Sequence, residues 1–206
     1  YFAGQLALQI VRSTLTRETG LSRSLTGEIS QKVRENLPFS LTGGQEQAVR
    51  DIQDDIQSDK KMARLIQGDV GSGKTVVALM AMASMAEAGL QSSLMAPTEI
   101  LATQHFETIR PIAEASGLRI VLLTGKMPAG EKRRIHSEIA NHKVDIVVGT
   151  HALFQASVEF AALGLTVVDE QHRFGVHQRL ALSEKGRKTE LLVMTATPIP
   201  RTLVLT

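Results

Sequence analysis

Short apolar runs alternate with longer stretches of helical spacing along most of this chain. The runs Arg64–Gln67, Ser93–Ala96, Arg119–Leu123, Asp145–Val148, Leu165–Val168 and Leu191–Thr195 predict buried strands. Between them, Lys74–Ala88, Ile100–Ala115, Gly130–Asn141 and His177–Lys185 carry helical patterns, and an amphipathic helix over Gln45–Ile56 precedes the first strand. Alternation of this kind predicts an α/β fold, a mostly parallel sheet with helices on both faces. Ligands in such sheets sit at the carboxyl ends of the strands. Upstream, Phe2, Leu6 and Ile10, with Leu8, Val11 and Leu15 on the neighbouring stripe, predict a helix over residues 1–20. Residues 20–38 are polar, rich in Ser, Thr and Gly, and end in Pro38, which predicts a connector with one short helix around Glu28 to Glu35.

Composition agrees with a buried sheet. Of the 206 residues 43% are apolar but only 3% aromatic, so the core rests on Val, Ile, Leu, Ala and Met. There is no cysteine, which excludes disulfides and thiolate metal sites and is compatible with the reducing cytoplasm, the expected location. No apolar run is long enough to span a membrane, and Gln5, Gln9 and Arg12 interrupt the N-terminal apolar residues where a signal peptide would need continuity. A net charge of +2 is too small to argue for nucleic acid, so that claim needs placed residues. The chain opens at Tyr1 and stops soon after a strand-like run, and both ends are expected to be cuts through a larger protein.

Chemistry concentrates after the strands. Gly68, Asp69, Val70, Gly71, Ser72, Gly73, Lys74 and Thr75 fit G-x-x-x-x-G-K-S/T between a strand and a helix. Glycines let backbone N–H groups curl around a phosphate, and the helix N-terminus adds positive charge. Lys74 can reach the β- and γ-phosphates, and the Thr75 hydroxyl can ligate Mg²⁺. The apolar run ending at Val168 delivers Asp169 and Glu170. Asp169 is the expected Mg²⁺ ligand and Glu170 the group that polarises the attacking water. ATP and Mg²⁺ are therefore the expected cofactors, with Lys74 and Glu170 in the catalytic roles. The bland alternatives are a glycine-rich turn and a solvated acidic pair; their occurrence together in the right strand contexts argues against both.

Asp169-Glu170-Gln171-His172 resembles the box that names a large group of superfamily 2 helicases. Other boxes of a first motor lobe then follow in order. Phe39 to Gln45 resembles an adenine-reading Q motif, Ala96 to His105 motif Ia, Leu123-Thr124-Gly125 motif Ib, Val148 to His151 a further DNA-contacting box, and Thr195 to Pro198 motif III. The stretches DEQHRFGVHQRLAL from Asp169 and TATPIPRTL from Thr195 resemble the RecG family of branch-migrating DNA helicases. The transcription-repair coupling translocases share RFGV and TATPIPRTL, but usually carry Glu at the position of Gln171 and lack the HQRLAL continuation.

The resemblance implies a RecA-like P-loop NTPase lobe over residues 37–206, preceded over residues 1–36 by a helical connector from an upstream wedge-type domain. It also implies a second motor lobe in the same chain. Gln45 would read the adenine edge and Phe39 could stack on the base; otherwise Gln45 is a solvated helix residue and Phe39 a core anchor. Pro97, Thr98, Thr124, Gly125, Thr150 and His151 would touch a DNA backbone, although Thr98 and Thr150 are also good helix caps. Lys132, Arg133 and Arg134 form a basic run that either attracts duplex DNA or is a solvated helix face. His172, Thr195, Ala196 and Thr197 would couple hydrolysis to DNA binding. Arg201 is not expected to be the catalytic arginine, which in this superfamily comes from the second lobe. The partner implied is branched duplex DNA, forks and junctions, with no membrane. The alternatives are an RNA helicase lobe and an ATP-dependent nucleic-acid-binding switch without motor activity.

Overall fold

The computed structural model describes residues 23–155, 157–169 and 189–196. In chain order the elements are α1 (Glu28–Glu35), α2 (Gly43–Gln57), β1 (Ala63–Gln67), α3 (Lys74–Glu87), β2 (Gln91–Met95), α4 (Glu99–Ala115), β3 (Ile120–Leu123), α5 (Ala129–Ala140), β4 (Ile146–Gly149), a 3-10 turn (His151–Phe154), β5 (Leu163–Asp169) and β6 (Glu190–Thr195). All six strands lie within two residues of the sequence expectation. The expected helices over residues 1–20 and His177–Lys185 fall outside the described residues.

The strands form one sheet in the order β1-β6-β5-β2-β4-β3, and every neighbouring pair is parallel. Strand β6 lies between β1 and β5, pairing Gln67 with Thr195 on one side and Asp169 with Met194 on the other. The P-loop strand and the acidic strand are thus held one strand apart.

Each central strand feeds both faces, as a two-residue period requires. Leu192, Met194, Leu165, Val167, Ile146 and Val148 join the core beneath α1 to α4. Their alternates, including Leu191, Val193, Val168 and Val147, meet Ile135 and Ile139 of α5 on the other face. Helix α3 is apolar all round, and its residues Val76 to Met85 are all buried, as befits a central core helix. Helix α2 buries Val49, Ile52 and Ile56. It starts on a capping box, in which Thr42 Oγ1 accepts from Gln45 N–H and Gln45 Oε1 accepts from Thr42 N–H. Arg64 of β1 bonds to Asp55 of α2, with Asp51 nearby, and this pairing raises the guanidinium pKa further.

The amino end of the sheet is closed by internal polar contacts. Glu190, 3% exposed, accepts hydrogen bonds from the Arg23 guanidinium (2.7 Å) and from the backbone N–H of Met62. Gln91 Nε2 donates to the carbonyls of Ile139 (3.0 Å) and Val144 (2.9 Å), while its Oε1 accepts from Ala162 N–H (3.0 Å). At the foot of α3, Glu87 accepts from the N–H groups of Gly27 (2.9 Å) and Ser30 (2.6 Å), capping α1 with a side chain from another helix. Helix α1 is therefore held against α3.

Candidate nucleotide and DNA site

Most of the described candidate residues follow the carboxyl ends of the strands. After β1 the chain turns through Gly68 to Gly73 and enters α3 at Lys74. Gly73 has φ +80°, and a Cβ there would lie 2.3 Å from Gln45 Nε2. A Cβ on Gly68 would lie 2.5 Å from Ser72 Oγ. The loop closes this tightly only because these positions lack side chains. Its shape fits a phosphate chain: backbone N–H groups at the mouth of a helix, with an ammonium beside them. Lys74 Nζ donates to the carbonyls of Gly68 (2.7 Å) and Asp69 (2.8 Å), and Val70 is 90% exposed at the loop tip. Gly68 N–H donates to the Thr195 carbonyl (3.2 Å), tying the cradle to the end of β6.

Gln45 stands beside this loop. Its Nε2 donates to the Ser72 carbonyl (2.9 Å), so the residue that completes the capping box of α2 also braces the P-loop. Phe39 is 48% exposed and is no core anchor.

Asp169 ends β5 nearly buried, at 8% exposure. One of its oxygens, Oδ2, lies 2.8 Å from His105 Nε2 on α4. The other ring nitrogen, Nδ1, lies 3.5 Å from Thr75 Oγ1. A single imidazole thus spans the last residue of the phosphate motif and the acidic strand end. Among the described residues no cluster of three or more His, Cys, Asp or Glu could hold a metal. One carboxylate, one hydroxyl and substrate phosphate oxygens are instead the donor set that suits Mg²⁺, which keeps several waters.

The candidate DNA residues line the same edge. Thr98 is exposed and caps α4, accepting from Leu101 N–H (3.3 Å). Gly125 and His151 are exposed, Pro97 is half-buried, and Thr124 and Thr150 are 8% and 3% exposed. Thr150 precedes the 3-10 turn but makes no side-chain cap. Glu99, in the first turn of α4, accepts from Lys126 N–H (3.1 Å) and holds the Gly125 loop. From the basic run, Lys132 donates to the Gly125 carbonyl, and Arg134 pairs with Glu138 (2.8 Å) on its own helix. Glu170, His172 and Thr197 lie outside the described residues, as does Arg201. His105 and the bracing role of Gln45 are what sequence reading missed. No helix among the described residues is long and apolar enough to cross a membrane.

Comparison with known proteins identifies the family and the fold. The chain is 50% identical over 206 residues, all of its length, to the ATP-dependent DNA helicase RecG of Streptococcus pneumoniae, of which it covers 30%. It is 45% identical to that of Thermotoga maritima, with 99% of this chain and 26% of the relative covered. The chain therefore spans under a third of these relatives. A solved structure of RecG bound to a three-way DNA junction superposes with TM-score 0.80 at 43% identity, over 98% of this chain and 27% of that one. The model of the DEAD/DEAH box helicase family matches residues 42–205, and the chain belongs to that family.

Proposed function

We propose that this chain is the ATP-binding first motor lobe of a RecG-type helicase that couples ATP hydrolysis to branch migration of forks and junctions. The observation that carries the reading is the convergence of Thr75 and Asp169 on one imidazole, which unites the phosphate loop and the acidic strand end in one site.

ATP bound with Mg²⁺ supplies the γ-phosphoryl group whose transfer to water drives the motor. Backbone N–H groups of Gly71, Ser72, Gly73, Lys74 and Thr75 would bind the phosphates, with Gly68, Asp69 and Val70 shaping the turn. Lys74 would swing its ammonium from the loop carbonyls to the β- and γ-phosphates. Thr75 and Asp169 would hold Mg²⁺, and Glu170 would take the proton of the attacking water. Gln45 keeps a second N–H and a second lone pair beyond its bonds to Ser72 and Thr42, enough to read an adenine edge, and the exposed Phe39 would stack on the base.

Thr98, Gly125 and His151 offer exposed contacts for a DNA backbone, with Pro97 beside them. Thr124 and Thr150, being buried, would act by shaping the loops. The bond from Gly68 to Thr195 supports Thr195, Ala196 and Thr197, with His172, as the coupling segment. The second lobe would lie in the same chain; the much greater length of the relatives supports this. That the matched relatives are DNA helicases by name, and one was solved on a three-way junction, supports branched DNA over RNA. The cytoplasm is the proposed location.

Turnover tests the reading. Residues 1–206 alone should bind Mg-nucleotide, yet show negligible hydrolysis with or without forked DNA, because a missing arginine finger costs about 10³–10⁵ in rate. The complete protein should hydrolyse ATP when given forked DNA and prefer it to double-stranded RNA in competition. DNA-stimulated turnover by the 206-residue chain at the rate of the complete protein would contradict it.

A further inference from the structure

His105 belongs to none of the roles assigned so far. It sits on α4, about two helical turns beyond the Thr98 cap. That separation returns it to nearly the same side of the helix. Its side chain is 15% exposed and that of Asp169 12%, so the contact between them is largely shielded from water. The hydrogen-bond pattern fits the tautomer with the proton on Nε2: N–H donates to Asp169 Oδ2 at 2.8 Å, and Nδ1 is left to accept from the Thr75 hydroxyl at 3.5 Å. Asp169 Oδ1 remains free of this bond. A carboxylate with one oxygen fixed by an N–H donor and the other available is how proteins orient a metal ligand from the next layer out.

We propose that His105 is a positioning residue for the metal centre, holding Asp169 and Thr75 in register from α4. The inference rests on the reading of Asp169 and Thr75 as the Mg²⁺ ligands. It gives α4 two attachments on the working edge of the sheet. Glu99, in its first turn, holds the Gly125 loop, and His105 holds the metal carboxylate. One helix therefore joins the proposed DNA track to the proposed metal site without an intervening loop. Signals from sequence alone do not reveal this, because a lone His with no second ligand at metal spacing carries none.

The test separates metal binding from nucleotide binding in the complete protein. His105→Gln keeps an amide N–H near the place of Nε2, whereas His105→Leu has similar volume and no donor. Two affinities are measured for each: a fluorescent ADP analogue in excess chelator, and Mn²⁺ for the protein–ADP complex by electron paramagnetic resonance. His105→Leu should leave metal-free nucleotide affinity within about twofold and weaken Mn²⁺ binding about 10- to 100-fold, the usual loss for an outer-layer partner. His105→Gln should recover most of it. Melting temperatures of both variants establish that they are folded.

Asp169→Ala run in parallel distinguishes the two levels of the argument. If Asp169→Ala loses Mn²⁺ and His105→Leu does not, the role of His105 is overturned and the metal reading stands. If Asp169→Ala keeps Mn²⁺, the metal reading falls and the inference falls with it. If both His105 variants lose metal-free and Mn²⁺-dependent binding equally, the residue is structural and the proposal is overturned.

Discussion

The two ends of this parallel sheet are made from the same strands and behave as different materials. At the amino end Glu190, Gln91 and Arg119 are spent on internal partners. Glu190 holds Arg23 and the Met62 N–H, Gln91 bridges three backbone groups, and Arg119 grips Asp145 through its own N–H (2.8 Å), Nε (2.9 Å) and Nη2 (2.6 Å). The last contact raises the Arg119 pKa further above its already high ordinary value. At the carboxyl end the chain instead turns in glycines, leaves Val70 at 90% exposure and, among the described residues, holds Lys74 by carbonyls of its own loop. Parallel strands make the difference possible. The carboxyl ends of all six strands share one edge, so that edge can be specialised for binding while the opposite edge supplies the fold.

Substitutions at the two ends should therefore separate activity from stability. The largest effect belongs to Glu170→Gln, which should slow ATP turnover by the complete protein about 10³-fold while nucleotide still binds, because an amide is a poor proton acceptor. Equal turnover by that variant would remove Glu170 from the working end. Next, Glu190→Ala should lower stability by about 3 kcal/mol, since it strands a largely shielded guanidinium and a buried backbone N–H together. Chemical denaturation measures this, and the folded fraction should bind nucleotide as before. A loss of affinity without a loss of stability would break the contrast between the ends.

Lys74→Ala should do the reverse. Losing a charged donor to phosphate costs about 1.5–3 kcal/mol of binding, about 10- to 150-fold in affinity, whereas stability should change by less than about 0.5 kcal/mol. Isothermal titration and a denaturant midpoint on the same samples give both values. The smallest effect sharpens the boundary between the ends. Thr42→Ala removes the capping box of α2 and should cost about 1 kcal/mol of stability. Because Gln45 also holds the Ser72 carbonyl, it should in addition weaken nucleotide binding slightly, which a purely structural cap would not.

The working end was more legible in sequence than the structural end. The P-loop and the Asp169 strand announce themselves through residue order, because glycines, a lysine and adjacent carboxylates are needed at set spacings. The strands were legible where apolar residues dominate. The start of β2 was not, since Gln91 and Ser92 are polar yet fully buried; the amide of Gln91 finds its partners in chain segments distant in sequence. Glu87 and Glu190 read as ordinary charges at element ends until the fold brings α1, Arg23 and Met62 to them. His105 is the same case at the other edge. It closes the stretch that resembles motif Ia, but only the fold, which lays α4 against β3 and β4, shows that it faces Asp169.

The central claim is that the carboxyl edge is the Mg-nucleotide edge. A crystal structure of this chain with Mg²⁺ and a non-hydrolysable ATP analogue tests it most directly. The account predicts phosphates against the backbone N–H groups of Gly71 to Thr75, with the metal beside Thr75 and Asp169. Nucleotide bound anywhere else, with the P-loop untouched and Lys74 still on the carbonyls of Gly68 and Asp69, would contradict it.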